Sequence, residues 1–262
     1  MILNNAFYSV LRGAAERMLS FQHPAVYEKE GHANYVTEAD ESVQQFLLEQ
    51  LHQLYPSASF KAEEGEGSVL KDDPTFIIDP IDGTTNYFRN RSASVISVGL
   101  VEGKWTIAGA VFDPYRNLMY HAERGEGAFC NDSPIHVSDF PLERALIEFG
   151  SAPYRSDLNA LTAHTLQLIL PRTADIRRSG SAALDLCTLA SGHSEGMFEW
   201  NLQPWDYCAA SLLVEEAGGR TGNILGGEIS FDEGIPFMAG NAVCFEALRE
   251  LLQRAKRETA IQ

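Results

Sequence analysis

Apolar residues at Phe7, Val10, Leu11, Ala14 and Met18 recur at helical spacing and predict an amphipathic packing helix that ends before His23-Pro24. The spacing returns at Val43, Phe46, Leu47, Leu51 and Leu54, with Thr37 placed as the N-cap and Tyr55-Pro56 as the stop. Ser59-Phe60-Lys61 reads as a short strand, and Glu63-Glu64-Gly65-Glu66-Gly67 as an acidic, glycine-loosened loop. From Ser94 to Phe129 the pattern turns to β type. Residues 95–101 and 105–112 flank the turn Glu102-Gly103-Lys104, and residues 118–122 run to a turn at Arg124-Gly125-Glu126-Gly127, which predicts an antiparallel meander. Beyond Pro134 and Pro141 strands and helices alternate: Leu146–Phe149 (strand), 158–170 (helix), 174–177 (strand), Ala182–Ala190 (helix), 196–200 (strand), 205–217 (helix) and a last helix over 241–257. The expectation is an α+β half over residues 1–140 with an antiparallel-rich sheet, and an α/β half over 141–262 with a mixed sheet.

The most informative stretch is Ile77-Ile78-Asp79-Pro80-Ile81-Asp82-Gly83-Thr84-Thr85-Asn86-Tyr87. Phe76-Ile77-Ile78 has strand character, Pro80 removes an N–H and is expected to stop the ladder, and Gly83 frees the backbone before a polar helix start. Two carboxylates fixed at the end of a buried strand, Asp79 and Asp82, can point at one spot, which suits a divalent cation. The N–H groups of Gly83, Thr84 and Thr85 would face the same place and favour an anion such as phosphate. The competing explanation is a turn whose carboxylates only cap backbone amides.

Composition narrows the classes. At 262 residues and 45% hydrophobic content the chain can bury a substantial core. A net charge of −16 repels nucleic acid and anionic membranes and suits a protein that concentrates cations. The four cysteines have no Cys-x-x-Cys spacing and read as core residues in a reducing compartment, the cytoplasm by default. No apolar run approaches the roughly eighteen residues of a membrane span, and no export signal opens the chain. Gly192-His193-Ser194-Glu195-Gly196 matches the nucleophile elbow of serine hydrolases, but the expected order is helix before strand, the reverse of what that chemistry needs.

The string Asp79-Pro80-Ile81-Asp82-Gly83-Thr84-Thr85-Asn86 followed by Tyr87 resembles the first signature of the inositol monophosphatase family. Trp205-Asp206-Tyr207-Cys208-Ala209-Ala210, with Glu216-Ala217-Gly218-Gly219 behind it, resembles the second. The resemblance covers nearly the whole chain. It implies a layered α/β/α/β/α sandwich of the sugar-phosphatase kind, a homodimer, and a phosphoric monoester hydrolase using two or three magnesium ions. It places metal ligands at Glu63, Asp79, the Ile81 carbonyl, Asp82 and Asp206, and a catalytic trio at Glu63, Thr84 and Asp40. Substrate and phosphate contacts fall on Gly83, Thr84, Thr85, Ala182, Glu199 and Ser151.

An all-oxygen ligand set selects magnesium over zinc or copper, and converging carboxylates could not stay ionised together without cations. The implied reaction is hydrolysis of inositol 1-phosphate to inositol and phosphate by metal-activated water. Relatives of that family hydrolyse fructose 1,6-bisphosphate, histidinol phosphate or 3′-phosphoadenosine 5′-phosphate, and the metal residues do not separate these. The rival of another class is a non-catalytic regulatory binding protein that keeps the fold for partner contacts.

Overall fold

The computed structural model describes residues 2–29, 33–65 and 74–260. Glu66 and Gly67 of the acidic loop, and Glu30-Gly31 in the polar segment before Thr37, lie outside the described residues. In chain order the elements are α1 (Asn5–Ser20), β1 (Val26–Glu28), β2 (Tyr35–Thr37), α2 (Glu38–Leu54), β3 (Ser59–Ala62), β4 (Thr75–Asp82) and α3 (Thr84–Phe88). Then come β5 (Val95–Glu102), β6 (Trp105–Asp113), β7 (Leu118–Glu123), β8 (Ala128–Cys130), β9 (Ser133–Pro134), β10 (Leu146–Phe149) and α4 (Asn159–Ile169). The chain finishes with β11 (Asp175–Arg177), α5 (Ala182–Ala190), β12 (Gly196–Leu202), α6 (Pro204–Glu216), β13 (Arg220–Asn223), β14 (Ile235–Gly240) and α7 (Phe245–Thr259).

Seven strands form one sheet in the order β3-β4-β5-β6-β7-β8-β9, antiparallel except for the parallel pair β3 and β4. Five form a mixed sheet in the order β11-β10-β12-β14-β13. Three apolar cores stack these into five layers. Helices α1 and α2 bury Phe7, Leu11, Val43 and Leu47 on one face of the larger sheet. Helices α5 and α6 fill the space between the two sheets. Helices α4 and α7 cover the outer face of the smaller sheet through Leu161, Ile169, Leu248 and Leu252. The result is the α/β/α/β/α sandwich.

Two local features position the acidic residues. Pro80 does not end the ladder: β4 runs on to Asp82, with Asp79 opposite Ser97 and Asp82 opposite Val95, so one extra residue is accommodated there. A bulge is where a sheet tolerates a proline, and it re-aims the side chains on either side. The second feature is the close seat of α6 on the larger sheet. A Cβ on Gly109 would lie 2.8 Å from the Ala209 backbone, and one on Gly99 would lie 2.5 Å from Cys208 Sγ. Gly109→Ala would push α6 off the sheet; the expected cost is about 1–3 kcal/mol, a loss of roughly 5 °C in thermal unfolding. A melt within about 1 °C of wild type would contradict this contact, taking about 2–4 °C per kcal/mol as the scale.

Strands β13 and β14 and the β1–β2 hairpin are not legible as strands in the sequence. β13 is the polar run Arg220-Thr221-Gly222-Asn223, β14 contains Pro236, and β1 is exposed at every position. Their pairing is set by neighbours, not by alternation of their own residues.

Candidate active site

The site begins with the capping box at the start of α2. Thr37 accepts from the amides of Ala39 and Asp40, and Asp40 Oδ2 accepts from Thr37 N at 2.8 Å and from its hydroxyl at 2.5 Å. Capping occupies only Oδ2. Oδ1 accepts from Thr84 Oγ1 at 3.1 Å, so a helix cap also reaches across to the strand-turn-helix stretch. Thr84 Oγ1 lies 3.2 Å from the Ile81 carbonyl as well.

Asp79, Asp82 and Asp206 come from the two ends of the β4 bulge and from the first turn of α6, and each offers an oxygen within 4.8 Å of the others. Each is also pinned through one oxygen. Asp79 Oδ1 accepts from Ile81 N at 2.9 Å, and Asp206 Oδ2 from Gln203 N at 3.1 Å. Asp82 Oδ2 accepts from Ser181 Oγ and Ala183 N, both at 2.7 Å. The turn-cap and cation explanations of the aspartate pair are therefore compatible: capping with one oxygen orients the carboxylate that converges on the cluster.

Electrostatics say what the cluster needs. Burial, then Glu63, Asp82 and Asp206, hold the Asp79 carboxyl well above the usual range. Burial and Asp82 do the same to Asp206. Burial raises Asp82 to about 6 against the pull of Ser181 and Ala183. Glu63 is raised to about 7 by burial, with Lys29 opposing and Glu64 adding to the rise. Three oxygen donors this close, with no imidazole or thiolate in the group, fit a hard divalent cation. Glu63 stands beside this trio and turns its Oε1 to Lys29 Nζ at 3.2 Å, while the same ammonium pairs with Glu64. Burial pulls the Lys29 pKa down, but the two glutamates leave it raised overall. An ammonium held between two carboxylates marks the place as one where positive charge is favoured.

A cleft of about 710 Å³ opens over the cluster and is lined by Glu63, Asp82 and Asp206 together with Ser151, Ala182 and Glu199. Gly83, Thr84 and Thr85 line it too, although α3 is only five residues long. Glu199 comes from β12 and accepts from Ala152 N at 2.8 Å. It packs so closely on Gly150 that a Cβ there would meet its Oε2 at 1.6 Å. Burial raises its pKa to about 7, with the Ala152 amide and Arg178 opposing. The fold thus gathers every candidate of the sequence at or behind one cleft, with Asp79 reached through Asp82 and Asp206, and Asp40 and the Ile81 carbonyl through Thr84.

Several contributors carried no local signal. Lys29 sits in a polar run, Gly150 is defined by the Glu199 side chain that needs its space, and Ser181 is marked only by the Asp82 oxygen it bonds across the fold. Arg178 lines the cleft with Arg89 and Arg91, whereas Arg177 pairs with Asp175. Ser194 of the elbow-like motif is buried between α5 and β12, with no hydrogen-bond partner among the described residues, and the order is helix before strand, the reverse of a nucleophile elbow. Among the described residues no helix is long and apolar enough to cross a membrane.

The model of the Inositol monophosphatase family matches residues 3–259. The chain is 36% identical over 206 residues to inositol monophosphatase 1 of Sus scrofa, covering 76% of this chain and 74% of that protein. It is 36% identical over 231 residues to inositol-1-monophosphatase of Rhizobium meliloti, covering 86% and 85%. The crystal structure of extragenic suppressor protein suhB from Bartonella henselae superposes with a TM-score of 0.87 at 32% identity, over 95% of this chain and 97% of that one.

Proposed function

This chain belongs to the inositol monophosphatase family, and from that premise we propose that it hydrolyses inositol 1-phosphate to inositol and phosphate. Family membership makes it a metal-dependent phosphomonoesterase. The observation that supports the polyol substrate is Glu199. It lines the same cleft as Asp82 and Asp206, and its carboxylate is an acceptor for the hydroxyls of a polyol once the phosphate lies against the acidic cluster.

In this reading Glu63, Asp79, the Ile81 carbonyl, Asp82 and Asp206 hold magnesium, two or three ions in all. Bound there, the cations supply Lewis-acid polarisation of the phosphate and lower the pKa of a water. The protein's own groups do the rest. Asp40, held by Thr37, orients the Thr84 hydroxyl, so that Thr84 Oγ1 and a Glu63 oxygen hold the attacking water on one side of the phosphorus. Gly83, Thr84 and Thr85 border the phosphate, and Ser151 and Ala182 border the ring. Water is the nucleophile, and no phosphoenzyme forms. The four cysteines are free, which supports a reducing compartment such as the cytoplasm, and the family resemblance supports a homodimer.

The test is a panel of phosphoesters assayed for phosphate release with magnesium. Glu199→Gln is expected to raise KM for inositol 1-phosphate about tenfold, the loss of one charge-assisted hydrogen bond, and to leave p-nitrophenyl phosphate nearly unaffected. Release from no panel member would favour the regulatory binding protein. A second reading is favoured by Arg89, Arg91 and Arg178, which line the cleft without an ion pair among the described residues in a strongly acidic protein. They suit a substrate with a second anionic group, such as fructose 1,6-bisphosphate or 3′-phosphoadenosine 5′-phosphate. The panel separates the two, because only the second reading predicts a KM that rises on Arg178→Gln for the doubly anionic substrates alone.

A further inference from the structure

We propose that Lys61 is a positioning residue for Glu63, tying the strand end that carries this glutamate to the segment that seats the start of α6, where Asp206 lies. This role rests on the metal-dependent reading of the cluster.

Lys61 lies on β3 and is 5% exposed. Alternation along the strand packs Phe60 and Ala62 against the core under α1 and α2 and turns Lys61 to the opposite face. There it stands opposite Ile77 of β4, which belongs to the core between the two sheets. The pairing continues beyond β3, because Glu63 N donates to Ile78 O at 3.1 Å. Two residues further along each strand, the same face therefore presents Glu63 and Asp79. Strand β3 is also the edge of its sheet, so no ladder holds its outer side.

An ammonium in this apolar layer is costly unless its donors are used. Lys61 Nζ donates to Phe231 O and Asp232 O, both at 2.8 Å. Both carbonyls belong to the segment between β13 and β14, and the start of α6 holds that segment from the other side. The Tyr207 hydroxyl donates to Ser230 O, and its ring lies 6.0 Å from that of Phe231. Gly234 rests on Gln203, whose Nε2 would lie 2.6 Å from a Cβ there. Gln203 N in turn donates to Asp206 Oδ2 at 3.1 Å. Lys61, residues 230–234 and the Gln203–Tyr207 turn thus form one series of contacts from the strand end of Glu63 to Asp206. Groups that orient metal ligands from behind commonly change metal affinity by about 10–100-fold when lost.

The test reads Mn²⁺ binding by calorimetry without substrate, beside Tm in EDTA and kcat and KM at saturating Mg²⁺. Lys61→Met keeps the bulk of the side chain and removes its donors; Mn²⁺ binding is expected to weaken at least about tenfold, with KM for the phosphoester unchanged once metal saturates. Tyr207→Phe frees the same segment from α6 and is expected to weaken Mn²⁺ binding in the same direction; it decides the matter if Lys61→Met does not fold. Because both tethers act through one segment, the double variant is expected to bind little worse than Lys61→Met alone. Leu252→Ala, in the outer core beneath α7, lowers Tm without touching this series and is expected to keep wild-type affinity. Mn²⁺ affinity within twofold of wild type in the folded Lys61 or Tyr207 variants would overturn the assignment, as would additive losses in the double variant or an equal loss in Leu252→Ala. Wild-type protein that binds Mn²⁺ but releases no phosphate would end the phosphatase reading and leave this assignment standing. Wild-type protein that binds no divalent ion would overturn both.

Discussion

Asp79→Asn is expected to lower kcat/KM by about three orders of magnitude or more, since a ligated cation contributes several kcal/mol at the transition state and each ~1.4 kcal/mol is a factor of ten. The same substitution is expected to stabilise the metal-free protein. Without cations Asp79 is a buried carboxyl crowded by Glu63, Asp82 and Asp206, and its neutral isostere keeps the bond to Ile81 N while removing the repulsion. Thermal unfolding should therefore show a higher Tm than wild type in EDTA near pH 8, and a smaller gain in Tm from added Mg²⁺. A variant less stable than wild type under both conditions would assign Asp79 a purely structural role. Full activity would remove it from the site.

The second large effect is the pH dependence of the metal-free fold. Glu63, Glu148 and Glu199 are raised to about 7 and Asp82 to about 6, each first by burial, and Asp79, Asp185 and Asp206 are raised further. A carboxyl whose folded-state pKa is raised binds protons more tightly when folded. Its contribution to stability is complete below the unfolded value, 3.8 for Asp and 4.5 for Glu, and is lost as pH rises through the folded value. In EDTA the protein should therefore lose stability steadily from pH 5 to pH 8. The combined loss is expected to be large enough to lower Tm by ~10 °C or more across that range. Mg²⁺ binds the ionised carboxylates and should flatten or reverse that slope. Unfolding curves in EDTA that are level across this range would mean the carboxyls are not crowded as described.

Much of the frame was legible because it depends on local chemistry. Helix α2 begins at the Thr37 cap, since the oxygen two atoms from its backbone satisfies the first free amides wherever the helix packs. Helix α5 and strand β10 fall where their apolar runs place them. Pro80 shows the limit of such reading. A missing N–H forbids a regular ladder but not a bulge, and only the partner strand, with Ser97 and Val95 taking the places opposite Asp79 and Asp82, decides which occurs. Strand β14 is another case, a proline-containing run that becomes internal because β12 and β13 flank it.

For the site, the sequence by itself determined the donor chemistry: acidic oxygens on a strand end, a proline-started helix and a glutamate pair, without histidine or paired cysteines, in a chain of strongly negative charge. Side-chain type and capping are properties of a residue and its immediate neighbours, and they survive in a one-dimensional record. The tertiary structure alone decided that α6 sits close enough on Gly99 and Gly109 to bring Asp206 to Asp79 and Asp82, and that Gly150 leaves room for Glu199. It alone brought Lys29 to Glu63 and the 179–183 turn to Asp82. Those are distances between segments far apart in the chain, set by how layers pack, and no local pattern encodes them.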